Sequence, residues 1–511
     1  MTLTDPQAAA SPRIPQLVRQ GAVGLLFAVI LLVLAVETVL RQSAVNLAGD
    51  AILQSVMSVQ HVEWFYWGQN RFASVVPLLA RPVADPMANL MTIQILNALS
   101  FYGLLLLLAA MATPVLSDRR GWPRVLVVFL AIAAVAQLIL KPLPLYFVAL
   151  DAQPYSLSWL LGLGSYLLWK RSRWWEFTAA GALAWIAIGL NPSVVVGIGA
   201  LALVEMIRRR QWIRWPVFGV GWLLGLVSWM VIAARYPADN GPFPASEPDY
   251  FAFRVDLFQA DAGKSLDAIR SGLHQGLTLA LAVLAVLCLL AVSAKVRTAL
   301  LIRLAFLAGF AVIYWVVFTG NPWVSANGSA IRYFFPVLII VILGLATPTA
   351  GALLAIRAPV ALPIAVTATV CAVASIGPQT PLSDAPTISQ VEAAVADARA
   401  NGIHYVAGNY WSVWPVVHGM LADGRLAAFG TALRSEAAPG TARRWFDDDL
   451  AAGRRPRAIC LNDSTDSCVT YLNYWTAPGW STTAVATCVA PPLGADPGTC
   501  EVLEFDAAAP R

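Results

Sequence analysis

The chain has 511 residues, 58% of them hydrophobic and 12% charged, with a mean hydropathy of +0.67. Soluble domains carry about a quarter charged residues, and disorder needs low hydrophobicity with high charge, so a polytopic membrane protein is the class left. The formal net charge of +5 has no dense basic stripe behind it, which argues against a nucleic-acid partner.

A helix that crosses a bilayer needs about 20 mostly apolar residues. In chain order the sequence predicts eleven, at 21–40, 89–113, 124–141, 154–169, 177–190, 193–207, 215–234, 275–294, 299–319, 333–356 and 359–377. The fifth and sixth are short and meet at Asn191-Pro192, as a tight hairpin would. Residues 1–20 form a cytoplasmic N-terminus, and 21–377 a transmembrane domain. The first apolar run lacks a small-residue cleavage site, so it reads as a span and not as a signal peptide.

Orientation follows from the positive-inside rule. With the N-terminus inside, the short inner segments hold 16 Lys and Arg residues, among them Arg119, Arg120, Lys170, Arg171, Arg208, Arg209, Lys295 and Arg357. An odd number of spans then puts everything after 377 outside. The outer side has long loops at 41–88 and 235–274 and a short one at 320–332, and it carries most of the acids of the membrane half. Any chemistry is therefore expected to face outward from the cytoplasmic membrane.

Residues 378–511 are polar. A helix is predicted at 388–400, a strand at His404–Ala407, a helix at 410–422, and strands at Arg425–Phe429, Ala458–Leu461, Thr483–Val489 and Glu501–Phe505. Early alternation of helix and strand predicts a small α/β domain. Cys460, Cys468, Cys488 and Cys500 all fall here, separated by 7, 19 and 11 residues with no CxxC. That spacing disfavours zinc and favours disulfides, hence an oxidising compartment.

Several outer residues suit chemistry. Asp50 follows the first span and starts an amphipathic run of Ile52, Val56 and Val59. It reads either as a helix N-cap or as a general base. Glu37, at the outer end of the first span, is a rival, since an ionisable group at membrane depth is a functional candidate by default. Tyr66, Trp67, Gln69, Asn70 and Arg71 would make a sugar or acceptor surface, or else an interfacial aromatic belt. Arg332 and Tyr333 stand at the outer entrance of the tenth span. Arg332 suits an anionic headgroup or a plain interface anchor, with Lys141 and Arg235 at similar depth. There is no Walker A loop and no HExxH.

With these residues in view, the chain resembles the GT-C superfamily of integral-membrane glycosyltransferases, most of all the bacterial family 39-like branch, relatives of protein O-mannosyltransferases and aminoarabinose transferases. The resemblance lies in Gly49-Asp50, in Phe65–Gln69 followed by Pro77-Leu78-Leu79, and in Gln153-Pro154-Tyr155-Ser156. It continues in Leu190-Asn191-Pro192, in Arg332-Tyr333-Phe334-Phe335-Pro336, and in Tyr410-Trp411 to Trp414-Pro415. It implies a GT-C-like fold and transfer of a sugar from a polyprenyl-phosphate donor to a cell-envelope glycan, lipid or protein. Asp50 would be the base, Arg332 with Lys141 or Arg235 would hold the phosphate, and Tyr155 and Tyr333 would lie near the sugar. Many relatives follow the first acid with Glu, where Ala51 stands here, so no metal-binding pair and no cofactor are expected. A polysaccharide polymerase or ligase using a lipid-diphosphate donor, and a lipid or sugar flippase, are the alternatives. A flippase is expected to show internal repeats and helices broken at mid-bilayer, and no repeat is visible.

Overall fold

The computed structural model describes residues 13–42, 49–66, 73–117, 121–150, 154–171, 173–209, 213–235, 252–356, 358–375, 387–408, 410–424, 429–432, 440–461, 481–487 and 501–506. The first part is helical: α1 (Arg13–Gln42), α2 (Gly49–Gln60), α3 (Val75–Ala80), α4 (Pro86–Leu116), α5 (Trp122–Ile139), α6 (Pro142–Ala149), α7 (Tyr155–Trp169) and α8 (Trp174–Leu190). There follow α9 (Val194–Arg209), α10 (Arg214–Arg235), α11 (Val255–Ser271), α12 (Gln275–Ala291), α13 (Ala294–Thr319), α14 (Pro322–Ala326), a 3-10 turn at Ile331–Phe334, α15 (Phe335–Ala355) and α16 (Ala358–Ala374).

Each of the eleven expected spans is a helix. Among the described residues, six are long and apolar enough to cross a membrane, and the chain is an integral membrane protein. The other five, α7, α8, α9, α12 and α16, run 15 to 17 residues. That is a few residues short of the usual hydrocarbon thickness, a mismatch that local thinning or snorkelling end residues absorb.

A helix that is apolar all round belongs in a core. α5 is such a helix: every residue from Leu126 to Gln137 is buried, packed among α4, α15 and α16. α10, α12 and α13 instead expose Leu223, Leu224, Leu279, Leu287, Ile302 and Val312. Exposed apolar area on this scale marks a surface made for something other than water, which here is lipid. Buried polar groups stitch the spans together. Tyr102 Oη lies 2.7 Å from Thr38 Oγ1 and also accepts from Gln137 Nε2, joining α1, α4 and α5. The α8–α9 hairpin turns at Asn191, whose Oδ1 accepts from the Ser193 amide at 3.1 Å. Gly189 just before it allows Trp229 to pass, because a Cβ there would lie 2.1 Å from the indole.

The last part is α17 (Ile388–Ala400), β1 (Tyr405–Gly408), α18 (Tyr410–Ala422), β2 (Phe429–Ala432), α19 (Gly440–Ala451), β3 (Arg457–Leu461), β4 (Ser481–Thr487) and β5 (Glu501–Asp506). The sheet order is β2-β1-β3-β5-β4, with β2, β1 and β3 parallel and β5 antiparallel to both β3 and β4. This is the α/β unit expected from the sequence. The α17–α18 pair covers one sheet face, against Val406 and Ile459. α19 covers the other, where Phe446 meets Tyr405 and Phe505 edge-on at 4.9 and 5.0 Å. Cys468, Cys488 and Cys500 lie outside the described residues, as does the side chain of Cys460, and with them the disulfide expectation.

One expectation needs correction. α2 is not an amphipathic run with one open face, because Ala51 through Ser58 are all buried. The α/β unit folds back over it, and Ile52, Val56 and Met57 share one buried cluster with Trp414, Val417 and Leu421 of α18. The seam also carries a buried histidine. His418 Nε2 donates to Pro86 O at 3.1 Å, at the start of α4. Burial pushes the His418 imidazole below its ordinary value, outweighing that hydrogen bond and the nearby Asp85 carboxylate.

The depressed histidine sets the sign of a pH effect. The unfolded or undocked chain binds a proton below about pH 6.5 while the folded site resists it, so stability falls as the pH drops through that region. The other three histidines, His61, His274 and His404, are exposed. Thermal unfolding of the purified protein should therefore show a lower midpoint at pH 5.5 than at 7.5, and His418→Gln should flatten that difference. An unchanged pH dependence in the variant would remove His418 from the account.

Candidate active site

Two residues that sequence analysis placed at the outer membrane level meet in space. Asp50 sits in the first turn of α2, and Arg332 in the 3-10 turn that opens α15. Arg332 Nη1 donates to Asp50 Oδ2 at 3.1 Å, and the two side chains are only 11% and 13% accessible. They are separated by 282 positions in the chain.

Local geometry puts each there. α14 ends in a turn in which Gly328 and Ser329 both take positive φ, at 66° and 53°. The Gly328 and Ser329 amides close back on Ser325 O and Val324 O at 2.9 Å each. A left-handed pair reverses the chain, and the first residue is glycine, which adopts that conformation without steric cost. The reversal starts the 3-10 turn and aims Arg332 back toward α2. Its guanidinium lies 5.9 Å from the Phe147 ring of α6 and 5.3 Å from the Tyr333 ring, while Nη2 lies 3.4 Å from Tyr333 Oη. Aromatic faces attract a cation and keep water from it.

α2 is held as firmly. Ser58 Oγ donates to Pro77 O at 2.8 Å and accepts from Asn89 Nδ2 at 2.9 Å. Asn89 also donates to Ala80 O and Val83 O. These bonds tie α2 to α3 and to the first turn of α4, and α18 closes the other side.

Lys141 comes to the same corner through its backbone. Its amide donates to Gly272 O at 3.0 Å, and the Ile139–Lys141 segment pairs with Gly272–His274. Gly272 in turn lies against Ile331, where a Cβ would fall 2.1 Å from Ile331 Cδ1. Tyr155, buried at the head of α7, stacks on Phe335 with centroids 5.8 Å apart. Tyr333 is buried beside Arg332.

Other candidates fall elsewhere. Glu37 accepts from Arg41 Nε at 2.6 Å on its own helix, and Arg41 reaches on to Ala374 O of α16. That pair fastens the end of α1, and the rival carboxylate thus has a cation of its own. Tyr66 is 3% exposed and packs in the cluster between α2 and α18, so its ring serves the core and not an open sugar-binding surface. Trp67, Gln69, Asn70 and Arg71 lie outside the described residues, as does the side chain of Arg235 at the end of α10.

Sequence analysis missed Phe147. Lys141-Pro142-Leu143-Pro144 reads as a loop, yet proline at the first helical position is a start signal, and α6 begins at Pro142. It also missed an apolar pocket that starts three residues after Arg332. Phe335 and Pro336 line it, and Leu104, Trp159, Phe310 and Ile339 continue it between α4, α7, α13 and α15, enclosing about 130 Å³.

No family model matches the chain, and no curated protein matches it. Among solved structures it is similar to the crystal structure of ArnT from Cupriavidus metallidurans bound to undecaprenyl phosphate. The likeness is 14% identity over 95% of this chain and 99% of that chain, with a TM-score of 0.45.

A mostly buried ion pair is costly to break from one side, because the remaining charge loses its partner. Arg332→Ala and Asp50→Ala should each destabilise the protein by about 3 kcal/mol. The double variant should fall short of the sum by about 1–3 kcal/mol, as measured by chemical or thermal unfolding in detergent. Strict additivity would mean that the two side chains do not interact.

Proposed function

We propose that the protein is a membrane glycosyltransferase that moves a sugar from a polyprenyl-phosphate donor to an acceptor on the outer face of the cytoplasmic membrane, with its N-terminus inside and the α/β domain outside. The observation that carries this reading is the Asp50–Arg332 pair at 3.1 Å, mostly buried, with an apolar pocket whose lining begins three residues further along the chain at Phe335 and Pro336. One corner thus offers a proton acceptor, a phosphate ligand and a slot for a hydrocarbon tail.

In this reaction the acceptor hydroxyl attacks the anomeric carbon as its proton passes to a carboxylate oxygen of Asp50. The bond from that carbon to the phosphate oxygen breaks, and the leaving polyprenyl phosphate gains a second negative charge. Arg332 holds that charge with a planar fork suited to phosphate oxygens. Fixed cations placed where charge develops are a large source of rate acceleration. Lys141, whose backbone lies at the same corner, is the second cation. Tyr155 and Tyr333 wall the sugar. The first part of the prenyl chain enters past Phe335 and Pro336 into a space that takes a group roughly as large as benzene, and the remainder lies in the bilayer. The acceptor is a cell-envelope glycan, lipid or protein.

The ion pair adds a condition. Arg332 donates to Asp50 Oδ2, so a donor phosphate competes with Asp50 for the same guanidinium. A phosphate that draws Arg332 away frees that oxygen to take a proton. The base is then released only when the donor is in place, which limits idle hydrolysis.

Reconstitution with a radiolabelled polyprenyl-phosphate sugar and envelope acceptors tests the reading. Asp50→Asn should leave the protein folded and reduce kcat by roughly 100-fold or more, the usual scale for a lost general base. Arg332→Ala should raise the donor KM and lower kcat as well, since it contacts both ground state and leaving group. Glu37→Gln should be mild. Full activity in Asp50→Asn with loss in Glu37→Gln would move the base to α1 and leave Asp50 as a helix cap.

A further inference from the structure

The sheet of the α/β domain has two faces with different surroundings. Val406 and Ile459 point to α18 and the buried seam with α2. Tyr405 points the other way, to α19, and beside it a cleft opens with a volume of about 590 Å³. This is within the range of small-ligand sites. It lies across the sheet from Asp50 and uses no residue of the Asp50–Arg332 corner.

We propose that this cleft is a saccharide-binding site that takes a neutral, hydroxyl-rich chain. Its arginines sit in a lattice in which each already faces a carboxylate, Arg454 on Asp449 and Arg455 and Arg457 on Glu504. Asp449 accepts from Tyr405 Oη at 2.7 Å and from Arg454 Nε at 2.7 Å. Arg457 donates to Glu504 Oε2 at 2.8 Å and to Asn401 O at 3.2 Å. A phosphate or a carboxylate ligand has to compete with these built-in carboxylates, which disfavours anions. A hydroxyl, which donates and accepts at once, adds to both sides of such a lattice without displacing either partner. Trp445 of α19 supplies the half-buried apolar plate on which the C–H face of a sugar ring packs, and the exposed carboxylate of Asp448 stands one turn further along the same helix, at the rim. Aromatic plates edged by a few placed polar groups are the usual make-up of a specific ligand site.

The binding claim stands on the cleft alone. Its use, holding residues of an acceptor glycan remote from the reacting hydroxyl, rests on the transferase reading, in which remote contacts contribute to rate by positioning.

The test uses the full chain in lipid nanodiscs and titrates maltohexaose, cellohexaose and α-mannohexaose, with hexagalacturonate as the acidic comparison. At least one neutral hexasaccharide should bind saturably at moderate salt. Trp445→Ala and Asp448→Ala should each weaken it about tenfold, on the scale of one lost aromatic or charge-assisted contact. Asp50→Asn should bind as the native chain does, which separates this site from the catalytic corner even if transfer itself is not observed. Asp448 is exposed, so its variant decides the matter if Trp445→Ala fails to fold. Absence of saturable binding by every neutral oligosaccharide would overturn the proposal. So would binding confined to hexagalacturonate and abolished by salt, or binding unchanged in both cleft variants.

Discussion

A single ion pair, Arg332 to Asp50, is the constraint around which this end of the membrane part is arranged. Both charges are largely withdrawn from water, and such a pair is stable only when each partner is held in place. The chain supplies that hold from opposite directions. Arg332 is aimed by a left-handed turn and lined by Phe147 and Tyr333. Asp50 is fixed by a helix whose serines are tied to α3 and α4 and whose other side is sealed by the α/β domain. Rigid first partners with supported second neighbours are what a preorganised site requires.

The α/β domain therefore has a part in the site although it adds no side chain to the ion pair. α18 buries its Trp414 and Val417 against α2 and reaches Pro86 with His418. Loosening that seam frees α2, and with it Asp50. The opposite face of the same domain is left open and carries the Trp445 cleft. One domain thus clamps Asp50 with one layer and offers a separate surface with the other.

Much of the scaffold was legible in the sequence. Apolar length placed a helix at each of the eleven expected positions, and alternation marked α17, β1 and α18 almost to the residue, since these follow local periodicity. The two halves of the ion pair were visible as outer-level charges, but no local pattern encodes a contact across 282 positions. The burial of Tyr66 and α2 was hidden for the same reason, because it depends on a domain more than 300 residues further along folding back. α6 was missed through its two prolines. α19 was missed because a polar sequence with few apolar anchors, Trp445, Phe446 and Leu450, carries little helical signal. Five of the helices are shorter than a full span, a length that hydropathy alone extends into flanking residues.

In the proposed reaction Arg332 exchanges Asp50 for a donor phosphate. That exchange is tested most directly by the affinity of the purified protein for a polyprenyl phosphate, measured for the native chain, Asp50→Asn and Arg332→Ala. Asp50→Asn should bind as tightly as the native protein or more tightly, because Arg332 no longer has to leave a charged partner. Arg332→Ala should bind at least tenfold more weakly, the loss of one charge-assisted bidentate contact. Equal affinity in Arg332→Ala and the native chain would contradict the account, because the ion pair would then be a structural link with no bearing on the donor.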